Sequence, residues 1–425
     1  MRKLLIVDPS LLSLAGHSYN YDLAIYEAAC KRFYRVVVYA DRGFRDASGR
    51  MRDLRPVLNR LRMDRLKGLV NWVFHRLRPR PRHDASPTRP HATVVPGVWP
   101  WVIRAAKWLR ARDLAGSLRR ILREEQRTGD EVHVFFQHAH FSELMLAAGS
   151  QGPANLHLVL RYSPDLVNAG QVEPAAFART LRGLGRHVHL YTDSERLSAE
   201  YRALGASDVR TLPVPILLPD DIRADEGEQD PIRVAFLGAA RVEKGYCELP
   251  RIIAGFPAKA AGRRLVTMVQ GGAGSLDPRV QRATDELCAL AERLPPGAIE
   301  LLPDEVPLQT YYGWFARASI VAMPYVSAKY NASTSGIFVE ALCFGIPVVC
   351  PANSWMADVI EEARTEKGLV IGIAAPALED FPSAIGAVSA ELPRYRGAVR
   401  EFARHWRAVH NADACVEVLL GAAGR

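Results

Sequence analysis

Apolar residues along this chain fall into short unbroken runs separated by stretches of helical periodicity. In the first half the runs are LLIVD (4–8), YRVVVYA (34–40), VHVFFQ (132–137), LHLVLR (156–161) and HVHLYTD (187–193), and VRTLP (209–213) closes the series. They are continuous rather than alternating, as parallel strands covered on both faces are. Residues 219–230, PDDIRADEGEQD, break the pattern with a polar, acidic stretch that reads as a linker. A second series follows: IRVAFLG (232–238), LVTMVQG (265–271), AIELLP (298–303), SIVAMPY (319–325), IPVVCP (346–351) and LVIGI (369–373).

Two successive β/α series predict an α/β protein of two doubly wound, Rossmann-like domains facing each other across a cleft. The first is expected over 1–218, with a basic amphipathic insertion at about 55–125, and the second over 231–395. The last helical stretch, 396–425, could pack on either domain and is placed as a helix returning to the N-terminal one.

Composition narrows the class. A chain of 425 residues is too long for one core, which agrees with two domains. Its 48% hydrophobic and 24% charged residues are those of a soluble globular protein. No run approaches the roughly 18–20 apolar residues that span a bilayer. The N-terminal MRKLLIVDPSLL meets Asp8 and Pro9 too soon for a signal peptide and reads as a first strand. Six scattered cysteines without a CxxC pair or His/Cys ligand spacing point to reduced thiols in a cytoplasmic protein. The net charge of +9 is uneven: residues 51–127 hold 19 Lys/Arg against 6 Asp/Glu, a local +13 that leaves the remainder at −4. The basicity therefore concerns what one segment meets.

In doubly wound sheets ligands sit at the carboxyl ends of strands, so the residues after each run are the candidates. After the 232–238 run, Gly238 permits close approach, and Arg241 and Lys244 suit an anionic group, phosphate first. Solvated turn charges are the bland alternative. After the first run, Gly16 precedes a helix start near Ser18 where N–H groups can face an anion, although ordinary capping looks the same. After the 132–137 run, His138 and His140 sit at the cleft edge. Metal ligation lacks a third ligand, which leaves a polar role near substrate or a structural one. After the 319–325 run, Asn331, Ser333, Thr334, Ser335 and Gly336 form a donor-rich turn at a helix N-terminus, suited to phosphate oxygens. Glu340, about one turn in, is placed to accept hydrogen bonds from paired sugar hydroxyls, unless it is a capping or solvated residue.

These residues carry a resemblance. FLGAARVEKG resembles the segment of family-4 retaining glycosyltransferases in which a glycine is followed by an Arg and a Lys-Gly, and FVEALCFGIPVV resembles the later helix and strand of that family. PDEVPLQTYYGWFARASIVAMPY and YTDSERLSAEYRALGASDVRTLPVPI are similar to further family segments, so that the likeness spans most of 130–375. It implies the GT-B arrangement of two facing domains. It implies a nucleotide-diphosphate sugar, UDP- or GDP-linked, as donor substrate, with no other cofactor and no metal. The chain contains no Asp-x-Asp pair. Arg241 and Lys244 would clamp the diphosphate against the Ser333–Gly336 turn, and His138 or His140 would touch the donor sugar. The sugar would be transferred with retention at the anomeric carbon. One departure stands out: the family commonly has two glutamates eight residues apart, and the earlier position here is Ala332.

Residues 59–77 place Met63, Leu66, Val70, Val73 and Leu77 at 3-4-3-4 spacing, with Arg60, Arg65, Lys67 and Arg76 mainly off the stripe. Such a helix suits an anionic membrane surface, and 97–114 adds three tryptophans among cations. Packing on the first domain with the cations in solvent is the alternative. The expected acceptor is therefore lipid-linked or membrane-proximal, with the protein cytoplasmic or peripheral on the inner face of the membrane. Nucleic acid is not expected, because no reading motif accompanies the charge. No G-x-G-x-x-G follows a strand, which disfavours a dehydrogenase. The competing reading is a catalytically degenerate binding or scaffold protein on the same fold.

Overall fold

Seven parallel strands make the first sheet: β1 (Arg2–Asp8), β2 (Arg35–Asp41), β3 (Leu54–Leu58), β4 (Glu131–Phe136), β5 (Asn155–Leu160), β6 (Val188–Thr192) and β7 (Val209–Thr211), in the order β3-β2-β1-β4-β5-β6-β7. The second sheet contains β8 (Ile232–Phe236), β10 (Arg263–Gln270), β11 (Ile299–Leu302), β12 (Ile320–Ala322), β13 (Val348–Pro351) and β14 (Gly372–Ala375). Their order is β11-β10-β8-β12-β13-β14, with the two-residue β9 (Lys259–Ala260) antiparallel to β10. The computed structural model describes residues 1–12, 17–33, 35–58, 99–126, 129–150, 152–217, 230–257, 259–260, 262–272, 274–275, 277–304 and 306–423, with the backbone alone at 17, 99–111 and 422–423.

Each sheet is buried on both faces, which explains the unbroken apolar runs. Leu5 and Val7 of β1 face Leu114, Leu118 and Ile121 of the helix Trp99–Glu125, while Leu4 and Ile6 face the helix His17–Ala29. In the second domain Ala235 packs with Phe338 and Phe402, and Val234 with Ile252 and Leu287. A fully buried Leu, Ile or Phe contributes about 1.5–3 kcal/mol of apolar transfer. Both ends of the 55–125 segment thus belong to the sheet domain: β3 is its edge, and the end of the long helix is in its core. The basic stretch 59–77 lies outside the described residues.

The C-terminal segment divides. The helix Leu392–Val409 buries Val399, Phe402 and Trp406 in the second domain, where the Arg407 Nε donates to the Cys343 carbonyl at 2.6 Å. The helix Ala412–Ala423 crosses to the first domain and buries Cys415, Val416 and Leu419 beside His17–Ala29.

A polar row lies inside the first sheet's buried face. His133 (β4) shares a 3.0 Å hydrogen bond with His157 (β5), and His157 shares one of 2.9 Å with the Tyr191 hydroxyl. His189 (β6) stacks on His157 with ring centroids 4.9 Å apart.

In both sheets the strand order reverses beside the first strand of the domain, at β1/β4 and at β8/β12. The crevice at such a reversal, beyond the carboxyl ends of the strands, is where this architecture binds ligands.

Candidate functional site

At the second-domain crevice β8 leads into Gly238, two residues past its end, whose φ of 94° and lack of a Cβ are both needed. An added Cβ would overlap the Ile337 side chain and come within 2.9 Å of the Lys244 Nζ. The Gly238 N–H donates to the Gln270 side chain at 2.7 Å. The short turn Val242–Lys244 then carries the two expected cations. Arg241 is exposed and lies 3.8 Å from Glu243. Lys244 is partly buried, with its ammonium 5.8 Å from the centre of the Tyr325 ring. Burial, helped by the nearby Arg241 and Lys329 charges, lowers its pKa to about 8.

Glu340 lies behind this cluster rather than at its surface. It is 2% exposed, and its two oxygens accept hydroxyls from Tyr311 (2.8 Å) and Tyr312 (3.3 Å). Burial raises its pKa to about 7, against the pull of those hydroxyls and of Lys244. A residue one turn into the helix Gly336–Cys343 was expected to face sugar hydroxyls; here its first partners are tyrosines on the helix Leu308–Arg317.

The donor-rich turn also differs from expectation. Ser335 caps the helix, accepting the Phe338 N–H at 3.4 Å, and Gly336 is its first residue. The Ser333 and Thr334 hydroxyls, expected on phosphate oxygens, point across the cleft instead. Ser333 donates to the Arg161 carbonyl at 2.7 Å, and Thr334 to the Asp193 carboxylate at 2.6 Å. Around them Ser194 donates to the Ala332 carbonyl at 2.5 Å and Arg196 to the Asn331 carbonyl at 2.6 Å. The hydroxyls thus give partners to the Arg161 carbonyl and to one oxygen of the buried Asp193 carboxylate. With the Phe338 N–H taken by Ser335, the N–H groups before it in the first helical turn are the ones that could face an anion.

From the first domain, His138 and His140 follow β4 with rings 4.2 Å apart, and each packs near Tyr162, at 5.1 and 5.9 Å. The His140 N–H donates to the Glu143 carboxylate at the start of the helix Phe141–Ala148. Among the described residues no three His, Cys, Asp or Glu side chains form a metal-binding group. Gly16 lies outside the described residues.

No family model matches the sequence, and no curated protein matches it. Solved structures do. Anabaena Alr3699/HepE, solved with UDP-glucose, is similar over 100% of both chains, with a TM-score of 0.63 at 11% identity. The trehalose-6-phosphate synthase OtsA is similar over 99% of this chain and 98% of its own, with a TM-score of 0.64 at 10% identity. WaaG, a glycosyltransferase of lipopolysaccharide biosynthesis, gives 99% and 98% coverage, a TM-score of 0.56 and 14% identity. These are GT-B glycosyltransferases. The chain has the GT-B fold.

Within the GT-B cleft three features had escaped sequence reasoning. Lys329 sits on the turn Ala328–Asn331, its ammonium 3.4 Å from Glu243. Arg161, after β5, lies 3.7 Å from Asp193 and 4.4 Å above the Tyr21 ring. Asp8 at the end of β1 accepts from Gln137 at 2.6 Å, and burial together with Asp8 raises the pKa of the enclosed Asp22. The strand-end rule would have found Asp8 and Arg161, since both close strand runs. Lys329 offered no signal beyond its closeness to the polar turn.

Proposed function

We propose that this protein is a retaining glycosyltransferase that moves a sugar from a nucleoside-diphosphate sugar to a lipid-linked or membrane-proximal glycan acceptor, without a metal ion. The observation that carries the reading is the meeting of Arg241, Lys244 and the N-terminus of the helix Gly336–Cys343 at the β8/β12 crevice. Departure of the sugar builds negative charge on the leaving phosphate oxygen. Cations fixed beforehand, one of them partly buried, stabilise that charge more in the transition state than in the ground state. The solved HepE holds UDP-glucose, which supports a UDP-sugar as the first donor to try. The facing His138, His140 and Tyr162 would line the sugar side, with the acceptor approaching from the first domain.

A second reading has one observation in its favour. Ala332 stands where the resembled family has a carboxylate, and its backbone is tied to Ser194, as in a binding protein that keeps the fold without turnover.

Thermal-shift binding of UDP, GDP, ADP and CMP to wild type and Arg241→Ala tests the site. Selective stabilisation by one diphosphate, lost in the variant, is expected; no shift with any nucleotide overturns the donor reading. Turnover of the matching sugar nucleotide then separates enzyme from scaffold. For the acceptor side, sedimentation with phosphatidylglycerol vesicles should be salt-sensitive and lost when the cations of 59–77 are replaced by Gln.

A further inference from the structure

Two tyrosines make a ledge beside the clamp. Tyr325 follows β12, Tyr330 belongs to the turn Ala328–Asn331, and their ring centroids are 4.2 Å apart. Each carries an ammonium: Lys244 lies 5.8 Å from the Tyr325 centroid and Lys329 lies 4.8 Å from that of Tyr330. The ledge is fixed to the capped helix, since the Tyr325 hydroxyl and the Ser335 hydroxyl are 3.1 Å apart. Lys329 also reaches the other domain, lying 5.6 Å from the Tyr162 ring centroid.

With Arg241, three cations gather at one strand-end crevice. Two carboxylates answer them, and they are not equivalent. Glu340 is buried and engaged by two tyrosine hydroxyls. Glu243 is partly exposed and shared between Arg241 at 3.8 Å and Lys329 at 3.4 Å. Both distances are long for charge-assisted hydrogen bonds, so Glu243 holds the two cations loosely in place. Mutual repulsion within the trio is felt at Lys244, whose acidity both neighbours increase. A ligand carrying two or more negative charges relieves that repulsion.

We infer that Lys329 is a third cation of the donor site: it leaves Glu243 to bind the sugar-bearing phosphate, on the side of the clamp that faces Tyr162 and the acceptor domain. The assignment rests on the nucleoside-diphosphate reading above and adds a residue to it. Arg241 and Lys244 approach from the β8 turn, whereas Lys329 approaches from beyond β12, so the diphosphate is gripped from both sides of the crevice. Lying against the Tyr162 ring of the opposite domain, Lys329 meets the phosphate from which the sugar departs. Arg and Lys are not equivalent donors, but charge alone is needed for this role.

The test compares nucleoside diphosphates with monophosphates by calorimetry, using wild type, Lys329→Met, Lys329→Arg and Arg241→Ala. Melting without ligand checks the fold of each variant. For whichever of UDP, GDP or ADP binds wild type, Lys329→Met should weaken binding about tenfold or more, with the matching monophosphate changed less than about threefold. Lys329→Arg should restore most of the loss. Equal weakening toward diphosphate and monophosphate would mark Lys329 as structural and overturn the assignment. So would unchanged diphosphate binding in Lys329→Met while Arg241→Ala loses it. If none of the three binds wild type, the donor reading itself fails and this assignment falls with it.

Discussion

At the scale of single residues, the cations of the β8 turn differ in a way their spacing does not disclose. Arg241 is open to solvent; Lys244 is partly buried, and its pKa is lowered to about 8. Because the charged form is what binds phosphate, a bound diphosphate raises the Lys244 pKa above about 8. Diphosphate affinity should therefore fall as pH rises past about 8, and Lys244→Arg should flatten that limb; calorimetry from pH 7 to 10 reads both. Arg241→Ala and Lys244→Ala should each lower kcat/KM by an amount equivalent to roughly 2–4 kcal/mol. Turnover left intact in both would remove the clamp. Sequence made these two residues visible because cations after a strand-end glycine form a local pattern. Lys329 becomes visible only when two tyrosines and a second domain are brought beside it, and no spacing encodes that.

At the scale of elements, the strand series was legible because parallel strands buried on both faces need unbroken apolar runs. β3 was not: it is an edge strand of five residues containing Pro56, only partly buried. β9, two residues long, has no pattern to display. The helix Gly336–Cys343 was legible as a helix, but the direction of the Ser333 and Thr334 hydroxyls depends on which buried groups face them. The histidine row makes its own prediction. Burial lowers the pKa of His133, His157 and His189, the last to about 4, so these rings are neutral in the folded protein. An unfolded histidine titrates near about 6.5. The unfolded chain therefore takes up protons first, and stability is lost as pH falls from about 6.5 toward 4. The buried His189 Nε2 has no hydrogen-bond partner, so His189→Phe should keep the fold. It should recover about 1 kcal/mol of stability at pH 5 relative to pH 7.5, after allowance for solvent screening. Urea unfolding at the two pH values measures it, and an unchanged pH dependence would show that the ring is not neutral when buried.

At the scale of the whole molecule, the cleft is bridged directly. Ser333, Thr334, Ala332 and Asn331 of one domain bond to Arg161, Asp193, Ser194 and Arg196 of the other, and Arg196 pairs with Asp358. The double variant Ser333→Ala, Thr334→Val removes two of these bonds. It should shift the ensemble toward an open cleft, seen as a larger radius of gyration in solution scattering without loss of secondary structure. An unchanged radius would mean that the remaining contacts suffice.

The return of the chain at its C-terminus adds a mechanical constraint. The Val214 N–H, just past β7, donates to the His410 Nδ1 at 3.1 Å, and the Cys415 thiol donates to the Pro213 carbonyl at 2.5 Å. The outgoing and returning segments are thus stitched together at one edge of the cleft. Two bodies joined at adjacent points swing more readily than they slide, like the covers of a book about its spine. In such a swing the widest travel belongs to residues farthest from His410.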